Sequence, residues 1–291
     1  MDAISVGGEA IFRNGIGPLL PGCEHAPPPD AQHCLWGCGG TCSLKCADYI
    51  EYILEKEGDV GAVIAETVRC TPFIPPPEYW RKVRAACDKH GALLILDEIP
   101  TCLGRTGKMF ACEHYDVVPD MLVIGKGLGG GVFPLAALLV REGLNQMRAG
   151  ALGHYTHEKS PVGAAAAMAA ISVIEEEGLL EHALNLGGRA VREMRGLMEK
   201  YSIIGDVRGL GLLMGVELVN DRRTMERASV QTEQVMYEAL SRGLNFKITM
   251  GNIITLTPPL TLSEEEWALA LRILTESIQA VVERGGACSN S

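Results

Sequence analysis

"MLVIGKGLGGGVFP" runs from Met121 to Pro134 and sets glycines at 125, 127 and 130 directly behind an apolar, strand-like run. G-x-G-x-x-G in that setting signals a dinucleotide loop, whose third glycine opens a helix that points its N-terminus at the pyrophosphate. Beyond Gly130, however, the chain reads "GVFPLAALLV", with Pro134 leading a β-like apolar stretch, so no helix is expected to begin there. The stretch "GRTGKM" at 104–109 fails as a phosphate loop as well, lacking both the spacing and a Ser or Thr after Lys108. What remains is Lys126, an amine presented between glycines.

Around this stretch the pattern alternates as in an α/β fold. "GAVIAE" at 61–66 reads as a buried strand, and "PPEYWRKVRAACDKHG" as a helix with Pro77 in its first turn and Gly91 at its stop. Tyr79, Trp80, Val83 and Cys87 share one face of that helix. "ALLILD" gives a second strand ending at Asp97, and "MLVIG" a third ending just before Lys126. Strand, helix, strand predicts a parallel sheet. Asp97 and Lys126 then fall at its carboxyl edge, where open α/β sheets bind ligands. Pyridoxal phosphate needs that pair: a lysine to form a Schiff base with the aldehyde and an aspartate to keep the pyridine nitrogen protonated. An ordinary Asp–Lys ion pair at two loop ends fits the spacing equally well, and both readings stay open here.

Before residue 60 the chain is loop-rich, with "GPLLPG", "HAPPPD" and one helix, "ADYIEYILEKE", closed by Gly58. After Pro161 come an Ala-rich helix to about residue 176 and a second helix, "LLEHALNLGGRAVREMRGLMEKY", with glycines placed to bend it. "VRGLGLLMGVELV" reads as strands, "TMERASVQTEQVMYEALSRG" as a helix, "NIITLT" as a strand and "SEEEWALALRILTESIQAVVER" as a closing amphipathic helix. The expected division is a large α/β domain over 1–176 and a smaller α+β domain over 177–291.

With 291 residues, 47% apolar, and a formal net charge of −10 without a basic run, the chain is suited to a packed core and small-molecule chemistry rather than to nucleic acid. "PLAALLV" and "GAAAAMAAISVI" are too short to span a bilayer, and "MDAISVGGEA" has no charged region ahead of an apolar segment, so a cytosolic protein without a membrane partner is expected. Ten cysteines in that setting argue for reduced thiols. Cys34, Cys38, Cys42 and Cys46 recur every four residues. Four thiolates can hold zinc or an iron–sulfur cluster, but this spacing fits no metal signature, and buried or loop thiols are the simpler reading, so no metal is assigned.

"AVIAETV", "LLILDEIPTCLGRTGKMFACEHYDVVPDMLVIGKGLGGGVFPLAALL" and "VRGLGLLMGVEL" resemble the class III, ω-amino-acid-type aminotransferases, pyridoxal-phosphate enzymes of fold type I. The resemblance runs over nearly the whole chain. It implies an aspartate-aminotransferase-like large domain with a mostly parallel sheet, N-terminally incomplete, and a smaller α+β C-terminal domain. It also implies that Lys126 is the Schiff-base lysine, that Asp97 partners the pyridine nitrogen with Ile99 beside the cofactor, and that Glu66 stands on the substrate side. Thr156, in "HYTHEKSP", matches a threonine that reaches the cofactor phosphate of the neighbouring subunit, which implies a homodimer with shared sites and a small-molecule amine substrate.

The departures from the family narrow the function further. Members acting on α-amino or α-keto acids carry an arginine before the "PPL" motif as a bidentate carboxylate clamp, and Thr255 stands at that position here. Pro100 replaces a glutamine that contacts the ring hydroxyl, and "AETVR" brings in Arg69, readable as an anion contact or as a solvated loop cation. "GHYTHEKSP" adds His154, His157, Glu158 and Lys159, with His157 a candidate for handling protons or a substrate phosphonate, or else a surface histidine. This variant stretch resembles a branch that eliminates ammonia from a hydroxylated aminoethylphosphonate. The expected function is therefore a pyridoxal-phosphate enzyme acting on an ω-amine, an amino alcohol or an aminophosphonate, with the ammonia-lyase on (R)-1-hydroxy-2-aminoethylphosphonate as the alternative. Nothing precedes Met1 to match the family's phosphate-gripping turn and its ring-stacking aromatic, so the chain is also expected to be poorly folded or inactive by itself as a truncated fragment.

Overall fold

The computed structural model describes residues 2–38, 42–144, 146 and 156–288, with the side chains of 286–288 left aside. Two short helices, α1 (Asp2–Val6) and α2 (Ala10–Arg13), lead through a long loop into α3 (Lys45–Glu57). Then β1 (Ala62–Glu66), α4 (Tyr79–His90), β2 (Leu93–Asp97), β3 (Met121–Ile124) and β4 (Ala137–Val140) follow. The four strands form one sheet in the order β1-β2-β3-β4; the first three are parallel and β4 runs antiparallel to β3. Leu94 and Leu96 are fully buried while Leu93, Ile95 and Asp97 between them are half-buried, so β2 alternates where a continuous apolar run predicted burial on both faces. The covered face packs on the expected stripe of α4, whose Trp80, Val83 and Cys87 lie in the same core.

Asp120 closes the entry to β3. Its carboxylate accepts from Leu94 N–H at 2.8 Å and from Arg84 at 2.7 Å, and pairs with Arg141 at 3.1 Å. Burial opposes its charge, but the Leu94 N–H and the two guanidinium groups hold its pKa below the usual aspartate value.

α5 (Pro161–Glu176) buries Ala167 and Ile174 in that first core, and the second half is built from α6 (Leu179–Lys200), β5 (Ile204–Leu210), β6 (Leu213–Asp221), β7 (Glu226–Arg227), α7 (Ser229–Ser241), β8 (Lys247–Thr249), β9 (Ile253–Leu256) and α8 (Glu264–Cys288). Its antiparallel sheet has the order β5-β6-β9-β8, with β7 on β6. Met214, Val216, Leu218 and Ile254 bury against Ala190 and Met194 of α6 and Leu274 and Ile278 of α8, forming a second core. Among the described residues no helix is long and apolar enough to cross a membrane.

Three boundaries differ from expectation. Pro77 stands outside α4, because prolines at 75, 76 and 77 bias their predecessors toward extended backbone and delay the helix to Tyr79. Residues 224–228 are not helical: Met225 takes a left-handed turn at φ 54° and Glu226–Arg227 pair with β6, so α7 starts only at Ser229. The hairpin partner β8 escapes notice in the sequence because it is three residues long. The glycines of α6 serve close packing rather than a bend: a Cβ on Gly187 would sit 1.9 Å from the Gly211 carbonyl oxygen.

The "GRTG" motif joins the two halves. Arg105 is largely buried and donates to the carbonyls of Leu212 (3.1 Å) and Pro258, while Leu212 N–H returns a bond to Arg105 O at 3.0 Å. Gly211, left-handed at φ 56°, presses on this loop so tightly that a Cβ there would lie 2.4 Å from the Thr106 carbonyl carbon.

Candidate functional site

Glu66 and Asp97 face each other in register at the ends of β1 and β2, and Asp97 pairs across with Val123 of β3. Two residues past the end of β3 comes Lys126, which opens a single 3-10 turn, Lys126–Gly129, closed by the left-handed Gly130. No helix follows, so no helix N-terminus is available for a dinucleotide pyrophosphate. Lys126 itself is left-handed at φ 46°, a conformation that costs a non-glycine residue about 1 kcal/mol. Among the described residues its exposed amine makes no ion pair, which removes the simple Asp–Lys salt bridge as the reason for the pairing.

One oxygen of Asp97 accepts from Ile99 N–H at 3.0 Å, which orients the carboxylate, and among the described residues its second oxygen accepts no hydrogen bond. Ile99 also places its side chain against Gly125, where a Cβ would stand 3.4 Å from it. Glu66 accepts from Cys70 N–H at 3.3 Å, and its pKa is raised by burial in the first place, with Asp97 and Glu9 adding to the rise. Arg69 does not stand free: it pairs with Glu9, lies 3.9 Å from Glu66, and stacks 5.5 Å from the centroid of the Phe73 ring. Two carboxylates thus engage the guanidinium that the sequence offers as an anion contact.

Thr156 and His157 lie in an exposed turn ahead of α5, and among the described residues neither side chain bonds to Lys126 or Asp97. His154 lies outside the described residues. Thr255, at the clamp position, is buried in β9 with its hydroxyl 2.8 Å from that of Thr249. Pro100 follows Ile99 in the turn after β2.

The sequence does not point to three neighbours of these residues. Glu98 is fully buried behind Asp97, where it accepts from Thr67 (2.8 Å), Ala111 N–H (2.6 Å) and Cys112 N–H (2.7 Å) and ties the strand end to the next loop; strand alternation after Asp97 was the available signal. Cys70 lies within Coulombic reach of both Lys126 and Lys247, and burial is the main cause of its raised pKa. Lys247 enters from β8 and had no signal short of finding that strand. Cys34, Cys38, Cys42 and Cys46 line one small cavity with Pro28, Pro29, Asp30 and Pro76, yet among the described residues no group of three or more His, Cys, Asp or Glu side chains is placed to hold a metal ion.

The family model for class-III aminotransferases matches residues 1–278. The chain belongs to the class-III aminotransferase family. It is 45% identical over 297 residues to the (R)-1-hydroxy-2-aminoethylphosphonate ammonia-lyase of Vibrio splendidus, covering 97% of this chain and 62% of that class-III relative. To the leucine/methionine racemase of Thermococcus litoralis it is 38% identical, over 91% of this chain and 61% of that one. Among solved structures, an amine transaminase from an uncultivated Pseudomonas species in its PLP-bound form superposes with a TM-score of 0.86 at 31% identity, over 96% of this chain and 66% of that one. The class-III chain described here therefore spans about three fifths of the length of these curated relatives. The likeness establishes the fold type I architecture, with its mixed α/β sheet.

Proposed function

We propose that the protein is a pyridoxal-phosphate enzyme that acts on the amino group of an ω-amine carrying an acid group at its far end. The observation that carries this reading is the juxtaposition of Asp97 and Lys126 at one sheet edge, where among the described residues the amine makes no ion pair and one carboxylate oxygen accepts no hydrogen bond. These residues fit the cofactor: Lys126 supplies the amine for its aldehyde, and Asp97 supplies an anion for its protonated ring nitrogen. When bound, the cofactor supplies an electron sink for the carbon next to the substrate nitrogen. The freed Lys126 Nζ then takes the proton from that carbon, and Glu66, kept above the ordinary carboxylate pKa by burial, lines the approach. Thr156 is read as serving the neighbouring subunit of a homodimer, in keeping with its exposure in the turn ahead of α5. The free cysteines fit a cytosolic setting.

Elimination of ammonia is the second reading, favoured over transamination by two observations. Thr255 spends its hydroxyl on Thr249, so no α-carboxylate clamp stands where a keto acid requires one. The phosphonate ammonia-lyase relative is 45% identical. The same substitution weighs against an α-amino-acid racemase. In the elimination, Lys126 removes the proton, the hydroxyl leaves the neighbouring carbon, and water restores the oxygen as the products depart as aldehyde and ammonia.

Borohydride reduction of the protein loaded with pyridoxal phosphate, followed by peptide mapping, is expected to leave the pyridoxyl mass on Lys126. Ammonia release from the hydroxylated aminophosphonate without any keto acid is expected for the lyase; strict keto-acid dependence would return the reading to transamination. A protein that takes up no cofactor on Lys126 would overturn both.

A further inference from the structure

In the antiparallel hairpin of β8 and β9, Lys247 stands directly opposite Thr255, so the two side chains leave the same face of the sheet. Thr249, two residues on, shares that face. Its hydroxyl donates to Thr71 O at 3.2 Å as well as meeting Thr255. The face is thereby seated on the Cys70–Thr71 segment, which leaves the end of β1 beside Glu66. The charges of Lys126 and Lys247 both act on the Cys70 thiol against its burial, in line with the seat of the hairpin on that segment. Lys247 is exposed, and among the described residues it makes no ion pair, whereas the other candidate cation, Arg69, is engaged by Glu9 and Glu66.

We propose that Lys247 is the specificity-determining cation that receives the acid group of the substrate, and that this acid is a tetrahedral oxyanion of the phosphonate kind. The inference rests on the amine-enzyme reading above and names its substrate class. An arginine fork fits carboxylate and phosphate oxygens alike, whereas a lysine is a point charge without fork geometry, and a point charge attracts a phosphonate, which carries up to two negative charges, more strongly than a singly charged carboxylate. The register places this point charge one strand away from the threonine that occupies the clamp position. The cation has moved across the hairpin and changed from fork to point, and the acid it favours changes with it.

The test is calorimetric titration with propylphosphonate, which carries the acid group and no amine, on protein with and without pyridoxal phosphate, repeated with butyrate as the carboxylate probe. Wild type is expected to bind the phosphonate more tightly than the carboxylate. Lys247→Met is expected to weaken phosphonate binding by about 10- to 100-fold, as loss of a charge-assisted contact does, while Lys247→Arg retains binding and narrows the preference. Lys56→Met, on the outer face of α3, removes the same charge elsewhere and is expected to bind as wild type does. Equal phosphonate affinity in Lys247→Met, no binding by wild type in either state, or a preference for butyrate would each overturn the proposal. Retained, Lys247-dependent phosphonate binding in a protein that never acquires the pyridoxyl mass on Lys126 would support this assignment and count against the cofactor reading alone.

Discussion

Cys38 is set apart from the other thiols of this chain by its neighbours. Its sulfur lies 3.2 Å from the Ser43 hydroxyl. That bond first, then the Ser43 backbone and the thiols of Cys34 and Cys42, pull its pKa down to about 7. Burial acts the other way on Cys87 and Cys102, each pushed up to about 11, and on Cys112, pushed up to about 12. Iodoacetamide at neutral pH, read by peptide mapping, is therefore expected to label Cys38 ahead of these three, with a rate that climbs through a midpoint of about 7 as the thiolate forms. Ser43→Ala is expected to move that midpoint up; a wild-type midpoint at the ordinary cysteine value would remove the assignment. At this scale the sequence was most informative where a residue's placement follows from strand position alone. Asp97 and Lys126 were legible because each ends or follows an apolar run, and the direction of parallel strands then decides which edge they share. Lys247 was illegible because its place depends on a turn, a short partner strand and a hydrogen bond to Thr71, none of which leaves an apolar period.

The parallel strands hold their order partly through Asp120, which bridges β2 to the entry of β3. Asp120→Ala is expected to cost about 2–3 kcal/mol, because it leaves Leu94 N–H without its acceptor and a mostly buried Arg84 guanidinium with Asp88 as its one remaining carboxylate among the described residues. The direction of the pH effect follows from the depressed pKa. A carboxyl lowered on folding contributes its stabilisation above its unfolded pKa, about 3.9, and loses it as pH falls through the lower folded value. Urea unfolding at about pH 7 and again below about pH 3 is thus expected to show the deficit of the variant shrinking in acid. A deficit unchanged across that range would mean that the side chain acts through packing. The long elements of both sheets were legible from periodicity and from their glycine stops. Local chemistry that periodicity does not register moved the rest: three successive prolines displaced the start of α4, and the left-handed Met225 turned an expected helical segment back onto β6.

Two seams hold the halves of the molecule together, and both run beside the candidate site. At one, Arg105 caps the carbonyls of Leu212 and Pro258 while Gly211 and Gly187 allow three backbones to meet. At the other, Arg208 donates to Pro72 O at 2.7 Å, lies 5.3 Å from the centroid of the Phe73 ring, and stands near the bond from Thr249 to Thr71. The second seam holds the strand that carries Lys247 against the Cys70–Thr71 segment. Gly211→Ala is accordingly expected to cost at least about 3 kcal/mol, since the new Cβ must displace backbone and the left-handed conformation is itself strained for alanine. Gly188→Ala makes the comparison. Its Cβ would meet only the tip of Arg192 at 3.6 Å, within a helix that favours alanine, so stability is expected to hold or rise by about 0.5–1 kcal/mol. Because each half has its own buried core, calorimetry of Gly211→Ala is expected to resolve two transitions where wild type shows one. A single transition at lower temperature would instead mean that neither core holds without the seam. In that case the placement of Lys247 is a property of the whole cooperative fold, and weakening the seam at Arg105 would abolish phosphonate binding together with the native state rather than before it.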